Sequence, residues 1–348
     1  MDVAKLERQL AEYWQASSSG SAAVVRARSA NLVIVCRDRD DLTPVTETVA
    51  ALAEIHPGRT LTVVADADAA DDGLSAQVAL HCNRSDGEAR VFSEQIDLEA
   101  RGAGVEWLPQ TVLQLLVGDC PVYTWWRSEL EPDDPRWPAL AGLSNRFVVD
   151  SALAASPGAT LSGLLQLAGR DIRVGDLQWI RLRPWAELVA SQFDPAVATP
   201  YLQQVSAIEV HGAGTPTAGN SVAGAYLAGW LAGRLGWEVR GADELQRRDG
   251  ARVSLRCTHD PAGVPGEPTM VRIVCAGGDP AATFTAERLG LATPAVRLRM
   301  DVEHACPLPY IGRLERTEDS ALLCREIERT GRDPLFIESL TGAVRLLA

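Results

Sequence analysis

At 348 residues, 46% apolar and 23% charged, the chain has the composition of a folded globular protein long enough for one very large domain or two ordinary ones. A chain of this length buries roughly 75% of its unfolded surface, so neither disulfides nor metals are needed for stability. The formal charge of −13 argues against a nucleic-acid backbone or an anionic lipid surface as partner, and Lys5, the only lysine, leaves no interior amine for a Schiff base or a Walker-type phosphate clamp.

The first fourteen residues, MDVAKLERQLAEYW, carry charges where a secretory leader is apolar. The apolar part of the longest uncharged stretch, residues 210–233, is too short to cross a bilayer, so the expected location is cytoplasmic. Val3, Leu6, Leu10 and Tyr13 or Trp14 recur at helical spacing and predict an amphipathic helix, followed by a serine- and glycine-rich linker that ends near residue 20. Residues 31–36 (NLVIVC) then form a continuous apolar strand, 41–55 a helix and 59–65 a second strand. Strand, helix, strand with little polar face on either strand predicts a parallel unit covered on both sides. Further strands are expected at 75–82, 91–98, 121–126 and 146–150, with helices at 108–116, 159–168 and 184–193. Alternation in 121–126 sets Val122, Thr124 and Trp126 on one face and Tyr123 and Trp125 on the other, and large rings on both faces imply a strand inside a covered sheet. The expectation is a Rossmann-like, mostly parallel α/β domain over residues 21–198.

The proline-bounded segment 195–200 (PAVATP) is the predicted boundary. Beyond it, alternating strands at 204–210, 253–258, 270–276, 283–289 and 295–302, with helices at 221–235 and 319–329 covering one face, predict a C-terminal α+β domain over 199–348. Seven scattered cysteines with no CxxC pair read as reduced core thiols.

Several patterns bear on chemistry. A dinucleotide fingerprint would place GxGxxG after Cys36, but Arg37, Asp38, Arg39, Asp40 and Asp41 stand there, and their acids would repel a pyrophosphate. No cofactor is therefore expected. A glycine-rich loop at 212–221 opens a helix and could cradle phosphate through backbone N–H groups, although no lysine or acid completes a known motif. Its simpler reading is a connection feeding a helix. Cys257 with His259, and His304 with Cys306, each place two ligand types on one strand face. Together they form a candidate zinc or redox site, with a spacing outside the usual zinc signatures. Ser93 beside Glu94 and Ser151 beside Asp150 lack a nucleophile elbow and would need a histidine supplied by the fold. His56 at a helix end fits contact with the last carbonyls. Trp179, Leu182, Trp185 and Leu188 or Val189 read as a core stripe. Arg181 and Arg183 lie off it, and with Trp125 and Arg127 they supply the tryptophan and arginine chemistry enriched in interface hot spots. These four are the candidate partner-binding residues.

Residues 115–126 (LLVGDCPVYTWW) combine with 56–59 (HPGR), 92–96 (FSEQI), 146–152 (RFVVDSA) and 176–195 (DLQWIRLRPWAELVASQFDP) in an order that resembles the OpcA family, the glucose-6-phosphate dehydrogenase assembly proteins. The resemblance extends over about residues 24–237. It implies a non-catalytic protein that binds, and assembles or allosterically activates, the dehydrogenase opening the oxidative pentose phosphate route. The alternative from the residues themselves is a sugar-phosphate or nucleotide-binding enzyme or sensor using the loop at 212–221.

Overall fold

Helix α1 (Val3–Ser18) and a short strand β1 (Val24–Arg26) precede β2 (Asn31–Cys36), every residue of which is buried. A strand apolar on both sides is stable only between two covering layers, and β2 accordingly lies in the interior of an eight-stranded sheet. The computed structural model describes residues 2–18, 24–26, 28–84, 90–212, 221–259, 263–276, 281–290, 292–302 and 308–348. After β2 come α2 (Leu42–Ile55), β3 (Arg59–Asp66), the hairpin β4 (Gly73–Arg84) and β5 (Arg90–Arg101), α3 (Leu108–Leu115), β6 (Val122–Trp126), α4 (Arg136–Leu143), β7 (Arg146–Val149), α5 (Pro157–Gly169) and β8 (Val174–Asp176). The sheet order is β1-β5-β3-β2-β6-β7-β8, with β4 antiparallel on β5 and the pairs of β2 with β3 and β6, β3 with β5 and β6 with β7 all parallel. The expected Rossmann-like arrangement is present. Trp125 and Trp126, on opposite faces of an interior strand, are both essentially inaccessible.

A buried ion network fixes α1 to this sheet. Arg59 and Glu94 sit opposite each other on β3 and β5 and are 2.7 Å apart; Glu7 of α1 reaches Arg59 at 2.6 Å and the Trp14 indole N–H donates to Glu94 at 2.9 Å.

The chain continues with α6 (Leu177–Ser191), β9 (Val205–Gly212), α7 (Val222–Leu235), β10 (Glu238–Gly241), β11 (Glu244–Gln246), β12 (Arg252–His259), β13 (Pro268–Cys275), β14 (Ala282–Arg288), β15 (Ala295–Val302), β16 (Tyr310–Arg313), α8 (Asp319–Glu328) and α9 (Pro334–Leu346). A second eight-stranded sheet has the order β10-β11-β12-β9-β13-β14-β15-β16, antiparallel except between β12 and β9. The chain divides into two compact units, one formed by Met1–Val149, Leu167–Gly175 and Asp319–Thr330, the other by Asp150–Gln166, Asp176–Glu318 and Gly331–Ala348.

Two expectations need correction. Helix α6 begins at Leu177, seven residues before the predicted start at Pro184, because the Asp176 carboxylate accepts the Gln178 N–H and caps it. Proline favours a helix start, but here Pro184 lies inside the helix. Helix α8 does not cover the second sheet. It belongs to the first unit, where Glu326 pairs with the buried Arg146 at 3.1 Å and Glu328 lies 3.4 Å from His56. The second sheet is covered instead by α6, α7 and α9, and α9 had no sequence expectation.

Candidate functional site

In an open parallel sheet, ligands bind in the crevice outside the carboxyl ends of the strands. In the first unit β2, β3 and β6 deliver Arg37, Asp66 and Arg127 to that edge. Asp41 stands at the N-cap position of α2 but its side chain bonds no helix amide; its carboxylate accepts instead from Arg127 Nε at 2.7 Å, Arg127 Nη2 at 2.6 Å, Arg37 Nη2 at 3.0 Å and the Arg37 backbone N–H at 3.3 Å. The Arg127 side chain is only 6% exposed, and its guanidinium lies 4.3 Å from the centre of the Trp125 ring. Burial works to raise the Asp41 pKa, but the bonds and charge of Arg127 and Arg37 outweigh it and hold the carboxyl at about 2. The Cys36 thiol, at the end of β2, is pushed up to about 12 by burial and by the Asp41 charge.

At the N-terminus of α2, where a Rossmann-type fold receives a phosphate, the N-cap residue is thus itself a carboxylate, held by two arginines. Beside it, a cleft of about 360 Å³ is lined by Asp38, Asp40, Asp66 and Glu99 against Arg37 and Arg39. It adjoins a second cleft of about 260 Å³ whose walls include Thr62, Gln77, Gln95 and Asp97. Four carboxylates against two arginines, with Arg39 paired to Glu99, make a wall unsuited to a pyrophosphate.

The second unit holds a different carboxylate centre. Asp176 is fully buried; its Oδ1 accepts the backbone N–H groups of Ser151 at 3.0 Å and Gln178 at 2.9 Å, and its Oδ2 accepts the Tyr226 hydroxyl at 2.6 Å. Burial and the nearby Asp150 charge raise its pKa to about 6, and burial beside Asp176 carries Tyr226 well above the ordinary tyrosine range. Asp150 is held by both outer nitrogens of Arg181, at 3.1 and 2.9 Å; Arg181 also bonds Gln178, whose amide donates to Gly266 O at 2.7 Å. Asp176 therefore caps α6 and ties it to α7, while Arg181 ties α6 to Asp150 and Gln178 ties it to the loop before β13. Among the described residues no histidine bonds the hydroxyl of Ser151 or Ser93.

The sequence-predicted residues fall as follows. Trp125 is inaccessible and Arg127 clamps Asp41, both in the first unit; Arg181 and the half-buried Arg183 lie on α6 in the second. Cys257 is half-buried on β12 and His259 is exposed at the same strand's end. Their proposed partners His304 and Cys306 lie outside the described residues, as do residues 213–220 of the glycine-rich loop. Among the described residues no group of three or more histidines, cysteines or acids is arranged to hold a metal. Sequence reasoning missed the clamp between Asp41 and Arg127, 86 positions apart, and the bond between Asp176 and Tyr226. The adjacency of β2 and β6 was the available signal for the first, since it sets the residues following those strands side by side.

Two sequence-family models match the chain, described as the glucose-6-phosphate dehydrogenase subunit N-terminal domain over residues 49–166 and its C-terminal domain over residues 172–340. The OxPP cycle protein OpcA of Nostoc punctiforme is 27% identical over 289 residues, covering 78% of this chain and 61% of that protein. The OpcA of Synechocystis sp. is 27% identical over 319 residues, covering 85% of this chain and 65% of that protein. The chain thus spans less than two thirds of the length of these curated relatives. Among solved structures, KijD10, a 3-ketoreductase from Actinomadura kijaniata in complex with TDP-benzene and NADP, superimposes with a TM-score of 0.50 at 13% identity, over 92% of this chain and 96% of that one. At that identity the likeness is one of fold alone.

Proposed function

This chain belongs to the OpcA family of glucose-6-phosphate dehydrogenase assembly proteins, and from that premise we propose that it is a non-catalytic partner that binds the dehydrogenase and favours its active oligomer or conformation. The observation that carries the reading is the acidic crevice, whose lining carboxylates outnumber its arginines. Where the fold offers a phosphate seat, the N-cap residue of α2 is the carboxylate Asp41, locked by Arg127 and Arg37. The other strongly perturbed carboxylate, Asp176, is committed to a helix cap and a tyrosine hydroxyl. An activator needs no reactive group of its own; it needs a higher affinity for the partner's active state than for its inactive state. No helix among the described residues is long and apolar enough to cross a membrane.

The test is a titration of purified glucose-6-phosphate dehydrogenase with the chain, following oligomer mass and substrate saturation. The expected result is a change in one or both that saturates with added chain. Unchanged mass and saturation at excess chain remove the proposal. Thermal-shift measurements on the chain alone with glucose 6-phosphate, 6-phosphogluconolactone and NADP separate the enzyme or sensor alternative, which requires a large ligand-specific stabilisation.

A further inference from the structure

Residues 56–59 and 92–96, two of the motifs singled out in the sequence, meet on one face of the first sheet, and the proposed function uses neither. Strand alternation divides β5 at that point. Glu94 faces α1 together with Arg59, and Ser93 faces the opposite side, which α2 and α8 cover. On that side the register sets Thr60 beside Leu32 and Leu32 beside Tyr123. A cavity of about 20 Å³ lies between the layers, lined from the sheet by Leu32, Thr60, Ser93 and Tyr123, from the end of α2 by His56 and from α8 by Ile327. All six belong to the first unit.

Two of the lining side chains end in buried polar atoms that the protein leaves unpaired. The His56 backbone N–H closes α2 by donating to Leu52 O at 2.7 Å, while the ring Nε2 is buried. Glu328 lies 3.4 Å from Nε2 in a geometry that makes no hydrogen bond, so Nε2 has no partner among the described residues. Ser93 is 4% exposed, and its Oγ has none either. A buried hydroxyl or ring nitrogen left unpaired carries its full desolvation cost, and native interiors avoid that cost with a protein partner or an ordered water. An internal water needs roughly 10–15 Å³ of such space and about two to four polar partners. It can donate to or accept from the serine hydroxyl, and does the same for either tautomer of a neutral imidazole. A cation is disfavoured as occupant, because no carboxylate or thiolate lines the cavity.

We propose that this cavity is the site of one internal water, bonded to His56 Nε2 and Ser93 Oγ, which joins the end of α2 to β5 beneath α8. The site explains why a histidine and a serine stand where an apolar pair would otherwise pack. The test is a crystal structure of the whole chain at a resolution that shows ordered waters, together with relaxation dispersion of the water nuclei in solution, which counts long-lived internal waters. The crystal is expected to show one water peak within hydrogen-bond distance, roughly 2.5–3.2 Å, of both His56 Nε2 and Ser93 Oγ. Ser93→Val puts a methyl group into the cavity and offers no bond. That variant is expected to lose the peak and to hold one long-lived water fewer than wild type while still melting cooperatively. Absence of a peak in the wild-type crystal, or a peak bonded to only one of the two atoms, overturns the proposal, as does His56 Nε2 bonded directly to Ser93 or to Glu328. An unchanged count of long-lived waters in a folded Ser93→Val chain overturns it too. If the variant fails to fold, the wild-type crystal decides alone.

Discussion

Two aspartates of this chain are driven in opposite directions by their neighbours, and each gives stability its own pH window. Asp41 keeps two arginines and is held at about 2, below its ordinary 3.8, so its contribution is present above about pH 4 and lost as pH falls towards 2. Asp176 faces burial and the Asp150 charge and is raised to about 6; folding favours its protonated form, so its contribution is full below about pH 4 and lost as pH rises through 6. Asp176→Asn keeps a capping oxygen for the Ser151 and Gln178 amides and carries no charge. It is expected to melt higher than wild type at pH 8, by an amount on the order of 2 kcal/mol, and to show a flatter melting temperature between pH 5 and 8. A calorimetric series across that range checks it; an Asn variant that melts lower at every pH overturns the account. For the other aspartate, Arg127→Met leaves the Asp41 carboxylate with Arg37 alone and should cost about 3 kcal/mol in urea unfolding, of which most returns when Asp41 is also changed to Leu.

At the scale of elements, the crossing of α7 and α9 depends on two glycines. A Cβ on Gly229 would stand 2.6 Å from Ser339 O and 2.9 Å from Ala343 N, and one on Gly342 would stand 2.5 Å from Gly229 Cα. Those neighbours are backbone and cannot rotate away, so Gly229→Ala is expected to destabilise the protein by roughly 1–3 kcal/mol. Gly142, inside α4, has nothing within 4 Å of the same position, and Gly142→Ala should stabilise by up to about 1 kcal/mol. Opposite signs in paired denaturation curves are the check. The helix α9 itself escaped sequence reading although its start was legible: Asp333 followed by Pro334 is a cap and a first-turn proline, and Asp333 does accept the Leu335 and Phe336 amides. The continuous apolar runs that became β2 and β3 were readable because fully buried strands need no alternation. The destination of α8 was not, since its periodicity reports only that one face is buried. The partner of Glu326 is Arg146, 180 positions earlier, and only the folded chain brings them together. The same limit applied to the crevice: the missing glycines after Cys36 were visible, but the clamp that replaces them needed Arg127 from a distant strand.

For the whole molecule, the proposed function, whose output is binding rather than bond-making, places the observable effect on the partner and makes it reciprocal. Suppose the chain raises the dehydrogenase's affinity for glucose 6-phosphate by some factor. Linkage then requires saturating glucose 6-phosphate to tighten the dehydrogenase's affinity for the chain by the same factor, typically about 5–150-fold in coupled systems. Equilibrium titrations of the chain into the dehydrogenase, with and without the sugar phosphate and with NADP omitted so that no turnover occurs, give the two dissociation constants. Their ratio should equal the ratio of the sugar-phosphate dissociation constants measured with and without the chain. A chain that selects the active state must pass this comparison, because a ligand with equal affinity for two states shifts nothing however tightly it binds. Equal dissociation constants in both conditions, accompanied by a change in oligomer mass, would mean that the binding energy is directed to holding subunits together and leaves the substrate site as it was.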